Sequence, residues 1–159
     1  MTNFDSDIQI QLHDVARTLR TRFDRWARTY GLTRAQGVIL ARLHRQPGLS
    51  QIEMADICEV EPITVGRLVD RLEARGLLER RPDPSDRRIR RLHLLPASEP
   101  IIAGIDIYRS DLSDYLLDGV SAEERETVLK VLSHMKNKLA METAGPGFIE
   151  PTALVVAGE

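Results

Sequence analysis

The chain has 159 residues and a formal net charge of −2, with 42% hydrophobic and 29% charged residues. That is the size of one ordinary domain with enough apolar content to bury a core, and it excludes a disordered or low-complexity chain. No apolar run approaches the roughly 20 residues of a membrane-spanning helix. The opening MTNFDSDIQIQ lacks a basic-then-apolar leader, and the single Cys58 has no internal disulfide partner, so the expected compartment is the cytoplasm, with no membrane partner.

Residues 6–30 carry Ile8, Leu12, Val15, Ala16, Leu19, Phe23, Trp26, Ala27 and Tyr30 at three- and four-residue steps, which predicts a long amphipathic helix ended by Gly31. Three shorter helices follow. In TRAQ, Thr33 and Gln36 form a capping box; in SQIE, Ser50 and Glu53 do the same after the break at Pro47 and Gly48. Pro62 suits the first position of the third helix, where its missing N–H costs nothing, and Gly76 stops it after Arg75. Residues 77–81 and 89–95 alternate as two strands around the turn PDPSDR. A second long helix is expected over 98–118, and a third, opened by the capping box SAEE, from 121 to about 141. The expected fold is mainly α with a small β-hairpin: a winged helix-turn-helix over 33–95 between helical arms at 6–30 and 98–141. Together these make one domain over 1–141, with 142–159 a flexible tail.

The small net charge hides a strong asymmetry. Residues 17–45 hold eight Arg against one acid, Asp24, whereas residues 96–159 hold eleven acids against five bases. Arg87, Arg88, Arg90 and Arg91 crowd the hairpin. Arginine forks onto phosphate and base edges, so this placement leans toward an anionic partner. At 100° per residue, Val65, Leu68, Val69 and Leu72 share one face of the third short helix, and Thr64, Arg67 and Arg71 form a separate polar stripe. One side anchors and the other offers donors to base edges, as a groove-reading helix requires. Gly66 in the helix middle fits a backbone pressed against DNA or a tight contact with the preceding helix. A basic hairpin tip beside such a helix suits the minor groove, and Asp86 can pair with Arg88 to hold it extended. Arg80, Arg81, Arg90 and Arg91 would then touch phosphates or face solvent.

The stretches LTRAQGVILARL and LSQIEMADICEVEPITVGRLVDRLEARGLLERRPDPSDRRIRRLHLLP, with a helical arm at each end, resemble the MarR family of bacterial transcriptional regulators, and most of all its SlyA-type branch. The likeness spans about residues 8–141. It implies a homodimer whose terminal helices interlock, each subunit presenting one winged helix to half of a palindromic duplex DNA operator. The family's recognition-helix positions fall on Pro62, Ile63, Thr64 and Arg67, and its wing pattern of Asp, one residue, then Arg falls on Asp86 and Arg88, with Arg87 between them. Many members release DNA when a small, often phenolic, acid enters a cleft beside the arms. Arg17 and Arg20 match SlyA-type arginines there and imply a small aromatic or acidic effector. The chain departs from the SlyA-type pattern at Gly37, where that pattern has Trp, and at Ala41, where it has His. The peroxide-sensing branch carries a reactive Cys in its first long helix; this helix has none, and Cys58 reads as a buried small apolar group.

Two independent features support this picture. Apolar-striped helices at opposite chain ends would leave exposed patches on a monomer, which predicts a two-fold dimer, the alternative being that they pack only on their own domain. The chain also lacks H-E-x-x-H, G-x-S-x-G and phosphate-loop motifs, and His13, His44, His93 and His134 stand apart, so neither enzyme, metal nor cofactor is expected. The competing reading is a small-molecule carrier or adaptor of the same fold without operator binding. It leaves the arginine stripe and hairpin without a purpose.

Overall fold

Helix α1 runs Ile8–Thr29, α2 Arg34–Arg45, α3 Gln51–Cys58 and α4 Pro62–Ala74; strands β1 Leu78–Pro82 and β2 Arg90–Leu94 follow, then α5 Glu99–Leu116 and α6 Ala122–Thr143. The computed structural model describes residues 7–86 and 88–143. Arg87 and residues 144–159 of the expected tail therefore lie outside the described residues, and residues 142 and 143 belong to α6. The chain divides into two compact units after Ser113.

In the first unit, local chemistry sets the helix ends. Asp7 caps α1 by accepting the Gln9 N–H at 2.8 Å. Both expected capping boxes form: Gln36 Oε1 accepts the Thr33 N–H at 3.0 Å, and Glu53 Oε2 accepts the Ser50 N–H at 2.7 Å. Pro62 occupies the first turn of α4. α3 ends differently: Glu59 itself takes the left-handed conformation, φ 53°, that usually favours glycine.

The core joins all of these elements. Ile39, Leu40 and Leu43 of α2, Met54 of α3, Val65, Val69 and Leu72 of α4, and Leu78 and Leu92 of the hairpin are buried, with Ile101, Ile102 and Ile105 of α5. The hairpin is antiparallel, pairing Leu78 with Leu94, Arg80 with Leu92 and Pro82 with Arg90. Its ends lie within a residue or two of the sequence expectation. Residues 48–50 run along β2, with Leu92 N–H donating to Leu49 O at 2.9 Å and an isolated bridge from Ser50 to Arg91. A single 3₁₀ turn, Pro96–Ser98, leads into α5.

α1 and α5 meet through aromatic rings. Trp26 lies 5.4 Å from Phe23, 4.9 Å from Tyr30 and 5.4 Å from Tyr108, centroid to centroid. Two glycines let neighbouring helices close on this cluster, Gly104 from α5 and Gly37 from α2. A Cβ at Gly104 would fall 2.9 Å from Tyr30 Cζ and collide with its hydroxyl; one at Gly37 would lie 3.1 Å from Phe23 Cζ. Phe23 thus fills the space over position 37, where the family pattern had suggested Trp.

The second unit contains α6, opened by the expected box: Glu124 Oε2 accepts the Ser121 N–H at 2.8 Å and Ser121 Oγ accepts the Glu124 N–H at 3.2 Å. Arg125 donates back to Val120 O and Leu117 O, tying down the preceding turn. Val128, Leu129, Val131 and Met141 are exposed along this helix.

Candidate nucleic-acid interface

On α4, Ile63, Thr64, Arg67 and Arg71 face away from Val65, Val69 and Leu72, and these four and Pro62 in the first turn are all exposed, with Ile63 68% accessible. Among the described residues Arg67 and Arg71 enter no ion pair. Their guanidinium donors face water, as a helix built to meet an external acceptor requires. A Cβ at Gly66 would meet Gln51 Nε2 at 3.5 Å, an ordinary contact. Of the two sequence accounts of Gly66, close packing on α3 is therefore not required.

At the hairpin tip the expected Asp86–Arg88 pair forms in full. Asp86 Oδ1 accepts the Arg88 N–H at 2.9 Å and Nε at 3.1 Å, and Oδ2 accepts Nη2 at 2.8 Å. The Arg88 side chain is nevertheless 90% accessible. The guanidinium holds the Asp86 carboxyl below its ordinary range, and the carboxylate raises the Arg88 pKa in turn. An exposed pair of this kind contributes little to stability; what it fixes is direction.

The other hairpin arginines correct the sequence reading. Arg80 touches no external surface of the tip. Its Nε donates to Gln51 Oε1 at 2.7 Å and its Nη2 to Asp70 Oδ1 at 2.6 Å and Gly66 O at 3.3 Å; it also pairs with Glu73. One guanidinium thereby fastens β1 to α3 and α4. Arg91 likewise turns inward, to Asp83, Gly48 O and Glu53. Arg81 pairs with Glu79 at 2.6 Å, and Arg90 is exposed, as expected of flanking residues. Counting charge missed the two clamps. The alternation of β1 carried the signal for one of them, because Arg80 is two residues from buried Leu78 and shares its face. Arg75 was missed as well: it donates to Tyr30 O and Gly31 O, satisfying the C-terminus of α1.

Arg17 and Arg20 are exposed on α1, and Arg17 Nη2 lies 3.5 Å from Asp14. Ala41, like Phe23 over Gly37, adds packing rather than a polar ligand contact. A cleft of about 400 Å³ opens between the end of α2, the β2–α5 connection and the start of α5. His44, Leu94, Glu99, Ile102 and Asp106 line it, and His44 Nε2 stands 3.6 Å from Asp106. Cys58 is half-buried against the core, where desolvation pushes its thiol pKa up. Among the described residues no group of three or more His, Cys, Asp or Glu could hold a metal ion, and no helix is long and apolar enough to cross a membrane.

Residues 32–89 match the family model described as "MarR family". The chain superimposes on a crystal structure of MarR with TM-score 0.75 at 29% identity, covering 91% of this chain and 97% of that one. It superimposes on the transcriptional regulator SlyA with TM-score 0.76 at 25% identity, covering 86% and 96%. At 22% identity it shares the fold of MepR from S. aureus, solved as a DNA complex, with TM-score 0.71 over 84% of this chain and 98% of that one. Helix order, hairpin and family model agree: residues 32–89 match the MarR family model, and with β2 they fold as a winged helix-turn-helix.

Proposed function

We propose that the chain is a sequence-specific transcriptional regulator of the SlyA-type branch, acting as a homodimer on a palindromic DNA operator and not as an enzyme. The observation that carries this reading is the exposed row Thr64, Arg67 and Arg71 on α4, together with Arg88 held outward by Asp86. In the major groove, Arg67 and Arg71 would donate to guanine edges or phosphates, Thr64 would bond a base edge and Ile63 would meet thymine methyls. Arg88 would enter the adjacent minor groove, where negative potential is concentrated, with Arg87 beside it. The arms over 6–30 and 98–141 would pair two copies and set the two α4 helices about one DNA turn, roughly 34 Å, apart. The exposed side chains Ile8 and Val15 on α1 and Val128, Leu129 and Val131 on α6 supply apolar surface for that pairing. A small aromatic or acidic effector, contacting Arg17 and Arg20, would release the DNA, and the protein would work in the cytoplasm.

The test is selection of duplexes from a random-sequence pool by the full chain, followed by titration across salt. The expected product is an inverted repeat bound with steep salt dependence, since each phosphate neutralised contributes a slope of about 0.9. Arg88→Ala should weaken binding to that repeat while leaving the dimer intact. Enrichment of no sequence, even at low ionic strength, would sink the reading and favour a ligand carrier using the cleft beside His44.

A further inference from the structure

The hairpin holds two kinds of arginine. Arg88 points away from the protein, whereas Arg91 points back into it, and one carboxylate links their surroundings. Asp83 opens the turn and is 6% accessible. Its Oδ1 accepts the Ser85 N–H at 2.7 Å, the Ser85 hydroxyl at 2.5 Å and the Asp86 N–H at 3.2 Å. Its Oδ2 accepts Arg91 Nε at 2.6 Å. Arg91 Nη1 continues to Gly48 O at 3.1 Å and Glu53 Oε2 at 3.0 Å. That same Glu53 oxygen takes the Ser50 N–H and closes the cap of α3. On the other side of Asp83, the turn it organises carries Asp86, and Asp86 grips Arg88 by three donors. An unbroken series of bonds therefore runs from the N-terminus of α3 to the exposed guanidinium of Arg88.

We propose that Asp83 and Arg91 are positioning residues for DNA binding: neither touches DNA, and together they lock the hairpin tip in the geometry in which Asp86 presents Arg88. This rests on the DNA-binding reading above and extends it to residues whose side chains face inward. Each half of the device has its own chemistry. Oδ1 of Asp83 shapes the turn by accepting its N–H groups, as an Asx turn does. Oδ2 anchors that turn to Arg91, whose planar fork reaches three acceptors on two other segments at once; a lysine, with a single nitrogen, cannot reproduce this.

The sign of the effect separates this proposal from simple electrostatics. Asp83 is an anion close to where a polyanion would lie, so a purely Coulombic view has its removal tighten DNA binding. A positioning role has its removal loosen binding. The experiment uses the full-length protein and a duplex that the wild type enriches from a random pool, with affinity read by fluorescence anisotropy across a salt series. Asp83→Ala and Arg91→Ala should each weaken binding by roughly tenfold, and the double variant should cost little more than either alone, as coupled partners do. In an Arg88→Ala background, Asp83→Ala should change affinity by less than about twofold, because its effect passes through Arg88. Amide exchange of the free protein should accelerate at Ser85, Asp86 and Arg88 in Asp83→Ala while the buried residues of α4 stay protected. Should Asp83→Ala fold poorly, Asp83→Asn keeps an acceptor for the turn and loses only the Arg91 pair; an intermediate loss of affinity is expected.

Equal or tighter binding by Asp83→Ala, or a loss that persists undiminished without Arg88, overturns the proposal alone. So does a fall in salt slope of about 0.9 on Arg91→Ala without a matching effect of Asp83→Ala, which would make Arg91 a phosphate contact. A wild type that enriches no sequence overturns the DNA-binding reading and this one with it.

Discussion

Arg67 stands one turn beyond Ile63 on the exposed side of α4, and its side chain forms no ion pair among the described residues. Removing it therefore breaks no ion pair among the described residues, and under the proposed function its cost falls on recognition. Arg67→Ala should lower discrimination between the selected operator and single-base variants by about 1–3 kcal/mol, measured by competition titration, with the melting temperature unchanged. Glu59 is the opposite case, a residue whose cost lies in the fold. A left-handed conformation at a non-glycine position costs roughly 1–2 kcal/mol, partly offset by the backbone entropy that glycine would lose. Glu59→Gly should stabilise the protein by up to about 1 kcal/mol, visible as a rise of about 2–4 °C in thermal unfolding for a chain of this size. Arg80 and Arg91 show what a residue tally misses: the same side chain, a few positions apart from Arg88, serves as an internal tie because of the strand face or turn it occupies.

Elements were far more legible in the sequence than the roles of their charges. Thr33 with Gln36, Ser50 with Glu53 and Ser121 with Glu124 each announce a helix start, and all three boxes form, because capping is decided within four residues. The buried face of α4 was equally readable from spacing alone. The destination of Arg80 was not, because it depends on Gln51, Asp70 and Glu73, brought together only by tertiary structure. The hairpin and the start of α3 also share an acid sensitivity. Hydrogen bonds from the Ser85 hydroxyl and Arg91 hold the Asp83 carboxyl well below its ordinary value, Arg88 lowers Asp86, and the Ser50 N–H lowers Glu53. Groups whose folded pKa is depressed contribute stability that is fully present above their unfolded values, near 3.8 for Asp and 4.5 for Glu, and is lost as pH falls through the folded values. Unfolding free energy should therefore be flat in these groups near neutrality and decline below about pH 4.5, with Asp83→Asn showing a shallower decline in urea titrations.

On the scale of the whole molecule, the apolar side chains left exposed on α1 and α6 bear on association. If they bury against a second copy, stability becomes a function of protein concentration, since dissociation accompanies unfolding. The melting temperature should rise with each tenfold increase in protein, and Leu129→Arg together with Val131→Arg should abolish that dependence and yield monomers in sedimentation. A flat melting temperature in the wild type would count against the dimer. One contact inside the first unit offers a genetic handle on the same machinery. The bare backbone at Gly104 admits the Tyr30 ring so closely that even one methyl group there would act as a wedge between the first and fifth helices. Gly104→Ala would thus lower the melting temperature of the first unit while leaving every exposed side chain of α4 in place, a lesion that acts only from inside the fold.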